Sequence, residues 1–403
     1  MSTAPLEADS WKHLEKARAL LPLIIAHRRA LHSIPEVGLD LPETATFIAA
    51  ELRNIGLEPT RSGSGLWADI GNRGPCIALR ADTDALPVQE ATGASYASIF
   101  PGRMHACGHD AHAASLLVAA RILAGEKNLP YRVRVIFQPG EEGNFGARDL
   151  IEAGVLEGVA AIAGGHVGDL SDEMGPGEAA FLPGPMMAAA DSFRGAFIGS
   201  GGHGAAPHRS PDPISAFAEF IIALNALRAR ELDQVKPAVI SICAVNSGSN
   251  FNVIPERLDF KGTARSLEPG LRSLLERRIG DCGRAVAGLH GLAFDYEWLG
   301  GYPPLANHEE ASNLAEEVAR RILGSGRVRR LAAPIMGGED FAYYLERLPG
   351  LFWFLNTQNP ARGITSPNHN PRFEIEESLL ADFVGVNLGI VEGLADAVAA
   401  RTL

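Results

Sequence analysis

The sequence predicts an α/β protein: a mostly parallel sheet covered by helices and interrupted by an inserted ferredoxin-like α+β domain. Three observations predict it. Short apolar runs alternate with helical periodicities from Cys76 to Ala163. A strand-helix-strand-strand-helix-strand order follows from Asp191 to Leu299, and the alternating style returns after Gly300. Period-2 and period-3.6 patterns switching in this way are what a sheet with crossover helices requires.

Taken in order, Ser10 to Ser33 carries apolar residues at helical spacing, broken at Pro22, which lacks an N–H donor. A helix follows over Glu43 to Ile55. The runs Cys76 to Arg80, Arg132 to Gln138 and Val159 to Ala163 read as buried strands, with a helix Ala111 to Leu123 among them. In the inserted segment the strands are Asp191 to Gly199, Ala238 to Val245, Arg257 to Arg265 and Ala293 to Leu299. Its two helices, Pro211 to Ala229 and Pro269 to Leu289, each carry one apolar face, with Ile214, Phe217, Ile221 and Leu224 on the first and Leu271, Leu275, Cys282, Val286 and Leu289 on the second. Beyond Gly300 come a helix Glu310 to Leu323, a strand Leu351 to Leu355 and a helix Ile375 to Ala399. The simplest organisation is a discontinuous main domain, 1–189 and 301–403, around an inserted lid, 190–300.

Composition narrows the function classes. A chain of 403 residues, 46% hydrophobic and 21% charged, can bury the cores of two or three domains. Apolar runs such as Val159 to Ala163 fall far short of the ~18 residues a membrane span needs, so no membrane association is expected. Met1 to Ala17 holds Glu7, Asp9 and Glu15 and no basic start before an apolar block, which predicts no secretory signal and a cytoplasmic location. A net charge of −12, spread along the chain, disfavours nucleic-acid binding, which needs a basic stripe to displace counterions. The four cysteines, Cys76, Cys107, Cys243 and Cys282, form no CxxC pair, so neither a zinc knuckle nor a disulfide framework is expected.

Chemistry-bearing residues gather at strand ends. His105, His109 and His112 crowd into MHACGHDAH, where Gly108 lets the Cys107 thiolate and the His109 imidazole converge; read alone, the segment fits either a metal-ligand cluster or a helix-capping loop. Glu141 and Glu142 follow the strand Arg132 to Gln138, where open α/β sheets place their ligands; adjacent carboxylates can divide metal binding and proton transfer between them, or be two solvated glutamates. Asp82 and Asp84, His166, and His369 in SPNHNPRF repeat that placement after three further strands. Four strand ends bearing ligand types point jointly to a buried divalent-metal site with more ligands than one ion with an open position uses, hence two ions. His105 and His112 are expected to support the site from outside it. Gly337 to Asp340 is expected to open a helix, whose N–H groups would favour polar substrate atoms at Gly338 or simply cap the helix.

The ordered blocks RADTDALPVQE, MHACGHDAH, IFQPGEEG, GGHV, SGGHGAAPH, NVIPERLDFKGTAR, GGEDFAYY and NHNPRF resemble the hippurate hydrolase and indole-acetyl-amino-acid hydrolase branch of the aminoacylase and carboxypeptidase metallohydrolases, over nearly the whole chain. The resemblance implies a zinc-peptidase-like catalytic domain and a lid that also dimerises. It implies two divalent ions per subunit, Zn or Mn with Co or Ni acceptable, bridged by Cys107, with His109 and His166 completing one site and Glu142 and His369 the other. Glu141 would be the general base. Where many relatives have an HxD histidine this chain has Asp82, so His109 would have to supply the imidazole, and Asp84, counted among the catalytic residues, would orient a ligand rather than be one; Cys107 stands where many relatives have a bridging aspartate. His203 would stabilise the oxyanion, and Asn252 and Arg265 would hold a substrate carboxylate; each also reads as an ordinary turn or strand residue. The implied reaction is hydrolysis of the amide of an N-acyl amino acid, hippurate-like or a related conjugate, through a metal-bound water. Its rivals are a dipeptidase or an N-acyl-diaminopimelate deacetylase on the same scaffold, and a noncatalytic small-ligand binder. The partners implied are the small-molecule substrate and a second copy of the chain, as a homodimer or higher homo-oligomer through an edge strand such as Ala238 to Val245.

Overall fold

The computed structural model of the protein describes residues 10–403; the stretch read above for a secretory signal lies outside them up to residue 9. The chain opens with helices α1 (Ser10–Ala19), α2 (Leu21–His32) and α3 (Pro42–Asn54). Pro22 acts as expected, splitting the first periodic run and occupying the first turn of α2, where its missing N–H costs nothing. Strands β1 (Thr60–Ser62), β2 (Gly65–Ile70) and β3 (Cys76–Asp82) precede α4 (His109–Ala124), then β4 (Arg132–Gln138), α5 (Gly146–Glu152), β5 (Ala161–Val167), β6 (Ala179–Phe181) and β7 (Gly184–Met187). Next come β8 (Ala189–Ile198), β9 (Gly202–His203), α6 (Pro213–Arg230), β10 (Ala238–Ser247), β11 (Val253–Ile254), β12 (Arg257–Ser266), α7 (Pro269–Leu289) and β13 (Ala293–Tyr302). The chain finishes with β14 (Leu305–Asn307), α8 (Glu309–Leu323), β15 (Val328–Arg330), the single turn α9 (Ala342–Leu345), β16 (Gly350–Leu355) and α10 (Leu380–Ala399).

The chain divides into two compact units. One comprises the chain up to Met186, Ala306–Ile335 and Asp340–Leu403; the other comprises Met187–Leu305 and Met336–Glu339. In the first, eight strands form a sheet in the order β1-β2-β4-β3-β5-β16-β6-β15. Its centre, β4-β3-β5-β16, is parallel, and β2 and β6 flank it antiparallel. The parallel strands β3 and β5 are buried along their whole length, as a sheet covered on both faces requires. Helix α4 packs against α2, α10 and β3.

Three differences from the sequence reading bear on the site. The strand expected at Val159 to Ala163 runs instead from Ala161 to Val167, so His166 lies within it rather than after it. The reason is packing: Cβ atoms at Gly164 and Gly165 would lie 2.8 Å from Phe341, just before α9, and 2.6 Å from Trp353 on the neighbouring β16, so the glycines mark close approach and not a loop. No helix starts at Gly337 to Asp340; α9 begins at Ala342 and is one turn long, too short to gather an N-terminal field. Helix α10, with the turn before it, has a mean hydropathy of 1.5 and is long and apolar enough to cross a membrane, although no uninterrupted apolar run betrays it. Within this unit 78% of that stretch is buried, which accounts for its apolarity as core packing against α1, α8 and β5.

In the second unit the sheet order is β10-β12-β8-β13, antiparallel throughout, with α6 and α7 packed on one face. That is the ferredoxin-like plan. Alternate residues of the strands feed an aromatic core, Phe193, Phe197 and Phe260 meeting Phe220 of α6 and Leu275 and Ile279 of α7. Residues on the other face, among them Arg194, Arg257, Asp259 and Glu297, are exposed and charged.

A buried ionic cluster joins α2 to α4 in the first unit. Arg28 Nε donates to Asp110 at 2.9 Å, and His32 lies between Asp110, 2.8 Å from Nδ1, and Glu90, 3.4 Å from Nε2. Burial alone would discharge His32, but Asp110 and Glu90 outweigh it and raise its pKa to about 9. A group raised in the folded state contributes stability that is complete below its unfolded pKa of about 6.5 and is lost as pH rises through the folded value. Stability in urea should therefore fall between pH 6.5 and about 9, and His32→Gln should flatten that slope; denaturation curves across this range check it.

Candidate metal centre

Because β4, β3, β5 and β16 are parallel, their carboxyl ends open on one edge of the sheet. Asp84 lies two residues past β3, Glu141 and Glu142 three and four past β4, and His166 on the last turn of extended chain in β5. His369 comes from the loop after β16, and Cys107 and His109 from the loop that enters α4, with His109 as its first residue.

These residues converge. The ligand atoms of Cys107, His109 and His166 lie within 4.8 Å of one another, and so do those of Cys107, Glu142 and His369, so the two triads share the thiol. Cys107 Sγ is 3.4 Å from His166 Nε2, and Glu142 Oε1 is 3.2 Å from His369 Nε2. Glu141 joins His109 and Glu142 within the same radius. The ring hydrogens are already assigned: His109 Nδ1 donates to the main-chain oxygen of Asp84 at 2.8 Å, and His166 Nδ1 to the carbonyl of Val167 at 2.8 Å. Each ring thus leaves Nε2 for the centre, and Nε2 of His109 is buried without a hydrogen-bond partner. An orphaned imidazole nitrogen next to a thiol and two carboxylates is the donor set of a borderline divalent cation, and two triads on one thiol fit a pair of them.

The electrostatics need that cation. Burial, and after it the neighbouring Glu142, push the Cys107 thiol up to about 12, so without an ion it is protonated. Burial also drives His166 well below the ordinary histidine value, with His112 adding to the effect. Burial opposes a charge on His109 too, but Asp82 and then Cys107 overcome it and raise its pKa. Glu142 is drawn down by His369 and His109 against the cost of burial. A cation bound by both residues would therefore displace a proton from Cys107 and the one that the raised pKa keeps on His109.

Buried hydrogen bonds fix the donors. Both carboxylate oxygens of Asp84 accept main-chain hydrogens, from Glu141 at 2.9 Å and Glu142 at 3.1 Å, while its carbonyl holds His109. Asp84 thereby orients three of the converging side chains. Asp82 is no ligand replacement for the histidine of the HxD pattern: its Oδ2 accepts from Arg80 at 2.7 Å and its Oδ1 from His112 Nδ1 at 2.6 Å. His112 Nε2 accepts the Val167 N–H at 2.9 Å, so His112 has no nitrogen left for a metal. Arg80 also donates to Gln138 at 2.9 Å and to Asp340 at 2.8 Å, and Asp340 accepts the Ala147 N–H at 3.0 Å. Burial raises the pKa of Asp340, whereas His109, His112 and Arg80 hold Asp82 well below the carboxylate range despite its burial. His105, pushed down to about 3 by burial, stays neutral and stands in neither triad.

The remaining candidates lie in the second unit. His203 pairs with Val253 across β9 and β11, and the Gly204 N–H donates to the Asn252 carbonyl at 2.8 Å, so His203 and Asn252 share one corner. Arg265 stands opposite Ala190 in the sheet, half-buried, with Nη1 donating to the carbonyls of Asp191 at 3.3 Å and Ala264 at 3.2 Å. Gly338 is next to Gly337, whose carbonyl accepts the Ala188 N–H at 2.9 Å. The supporting roles of Arg80, Gln138 and Asn368 escaped the sequence reading, although Arg80 opens the RADTDALP block and Asn368 adjoins His369.

Two outcomes follow from this geometry. Titrating Zn²⁺ into metal-free protein at pH 7 should release protons, seen by calorimetry in buffers of different ionisation enthalpy. Asp84→Ala should weaken metal binding ~10- to 100-fold, the usual effect of removing a group that orients ligands, as read by chelator competition.

Comparison with known proteins agrees with the architecture. Residues 78–386 match Peptidase family M20/M25/M40. An N-acetyl-L-cysteine deacetylase of Bacillus subtilis is 37% identical over 363 residues, 89% of this chain and 84% of its own. An IAA-amino acid hydrolase of the ILR1-like group from Arabidopsis thaliana is 36% identical over 376 residues, 91% of this chain and 84% of its own. The crystal structure of a dinuclear metal-binding M20 peptidase from Bacillus subtilis superposes with a TM-score of 0.80 at 33% identity, covering 94% of this chain and 99% of that one. The chain therefore belongs to Peptidase family M20/M25/M40 and is a hydrolase of amide C–N bonds.

Proposed function

We propose that the protein hydrolyses the amide bond of N-acyl amino acids. The observation that carries this reading is the pair of ligand triads sharing Cys107 with Glu141 beside them. The acyl-amino-acid class is supported by the relatives named as an N-acetyl-L-cysteine deacetylase and an IAA-amino acid hydrolase. Two divalent ions, held by His109 and His166 on one side of Cys107 and by Glu142 and His369 on the other, would supply Lewis acidity to the amide carbonyl and an acidified water.

The chain's own groups do the rest. A carboxylate oxygen of Glu141 takes the proton of the attacking water and returns it to the leaving nitrogen. Asp84 keeps that carboxylate in reach by holding the Glu141 N–H. His203 serves the substrate carbonyl, and Asn252 and Arg265 its carboxylate, a role that suits a guanidinium whose bonds to Asp191, Thr263 and Ala264 all leave from Nη1. A second copy of the chain pairs along β10, whose outer edge has no strand beside it among the described residues.

The deciding experiment is a panel of benzoyl-glycine, acetyl and indole-acetyl amino acids, acetyl-diaminopimelate and dipeptides, assayed before and after chelation. Turnover of acyl amino acids that is lost with the metal and restored by Zn²⁺ or Mn²⁺ is expected; preference for dipeptides or acetyl-diaminopimelate would replace the substrate class, and full metal content with no turnover of any member would make the protein a binder. Glu141→Gln should lower kcat ~10²- to 10⁴-fold while leaving metal content unchanged, as measured by steady-state kinetics and elemental analysis.

A further inference from the structure

Three of the segments that bring ligands to the centre meet at one side chain that is not itself a ligand. Asn368 Nδ2 donates to the carbonyl of Cys107 at 3.1 Å and to that of Val167 at 3.3 Å, and Oδ1 accepts the Asp169 N–H at 2.9 Å. Nδ2 also lies 3.9 Å from Cys107 Sγ, within reach of a weak N–H···S bond. Val167 follows His166 and Asn368 precedes His369, so the carboxamide touches the Cys107 segment, the end of β5 and the His369 loop at once.

Such a joint needs an amide. Two hydrogens on one atom answer two carbonyls, and the oxygen answers an N–H; a carboxylate has no donor and an aliphatic side chain has neither group. The backbone makes room for it: a Cβ at Gly168 would sit 2.2 Å from Asn368 Oδ1, and Gly168 adopts φ +135. The joint also has work to do. His369 is exposed and holds φ 68, a left-handed conformation that a histidine leaves unless its surroundings fix it. Its own N–H donates to the Ala106 carbonyl at 2.6 Å, which ties one point of the loop; the Asn368 side chain ties the second.

We propose that Asn368 is a positioning residue of the metal centre, fastening the His369 loop to Cys107 and β5 so that His369 and Glu142 can hold one ion while sharing the thiol with the other. The inference rests on the dinuclear reading of the site. Removing the amide should loosen the Glu142 and His369 ion and spare the ion held by His109 and His166, because His109 keeps its bond to the Asp84 carbonyl and His166 keeps its own, shorter bond to the Val167 carbonyl that Asn368 shares.

The test is stepwise Zn²⁺ affinity of wild type, Asn368→Ala and Asn368→Leu by chelator competition, with the melting temperature of each metal-free protein. The expected result is a ~10- to 100-fold weakening of one of two ions in both variants, with metal-free melting unchanged. Leucine fills the volume without the hydrogen bonds, so retention of both affinities in Asn368→Leu overturns the proposal, as does equal loss of both ions alongside a lowered metal-free melting temperature. A wild-type protein that binds fewer than two ions would instead refute the dinuclear reading.

Discussion

The site depends on one buried carboxylate that binds no substrate. Asp84 accepts the main-chain hydrogens of Glu141 and Glu142 and presents its carbonyl to His109. An ionised group in that position would be costly if it stood alone, since burying an uncompensated charge takes several kcal/mol even after relaxation. Here two N–H donors compensate it, and those donors belong to the loop that must be held still. The charge and the loop stabilise each other, so Glu141, the proposed base, and Glu142, a proposed ligand, share a single anchor.

Around that anchor runs a second set of bonds, laid along the sheet. Arg80 on β3 reaches Asp82, Gln138 on β4 and Asp340, and Asp340 reaches the start of α5. His112 continues the line from Asp82 to the main chain of β5 beside His166. Each member is a strong donor or acceptor in a dry interior, where a satisfied network is rigid and an unsatisfied one is expensive. The consequence is positional precision: neighbouring strands are locked in register by side chains as well as by their ladders, at the edge where the ligands emerge.

Much of this was legible in the sequence, and the residues show why some was not. Cys107, His109, Glu141 and Glu142 stand in dense local motifs, where chemistry and spacing are visible together. His166 was found but misplaced, because Gly164 and Gly165 look like a loop until Phe341 and Trp353 fill the space their side chains would need. The edge hairpin β1-β2 was missed since Thr60 to Ser62 are polar and largely exposed, and its turn reads as ordinary glycine-serine loop. Asp340 was read as part of a helix start; its role as the partner of Arg80 is a contact across 260 positions of chain, which no local pattern carries. At α10 apolarity reflects a crowded interior, 78% of its most apolar window being buried.

The dispersal of the ligands has a further consequence for how the protein comes to be. Cys107 and Asn368 are 261 positions apart, and Glu142 and His166 come from the ends of two different strands between them, with His369 next to Asn368. Closing loops of that size is entropically unfavourable until the sheet itself supplies the contacts that offset it. A small metalloprotein can use its ion as a nucleus, with unfolded chain and ion assembling together. This chain has no such option, because no two ligands from one local segment except Cys107 and His109 can meet before the strands align. An ion held by these residues would therefore meet a finished interior and bind only where register and turns are already correct.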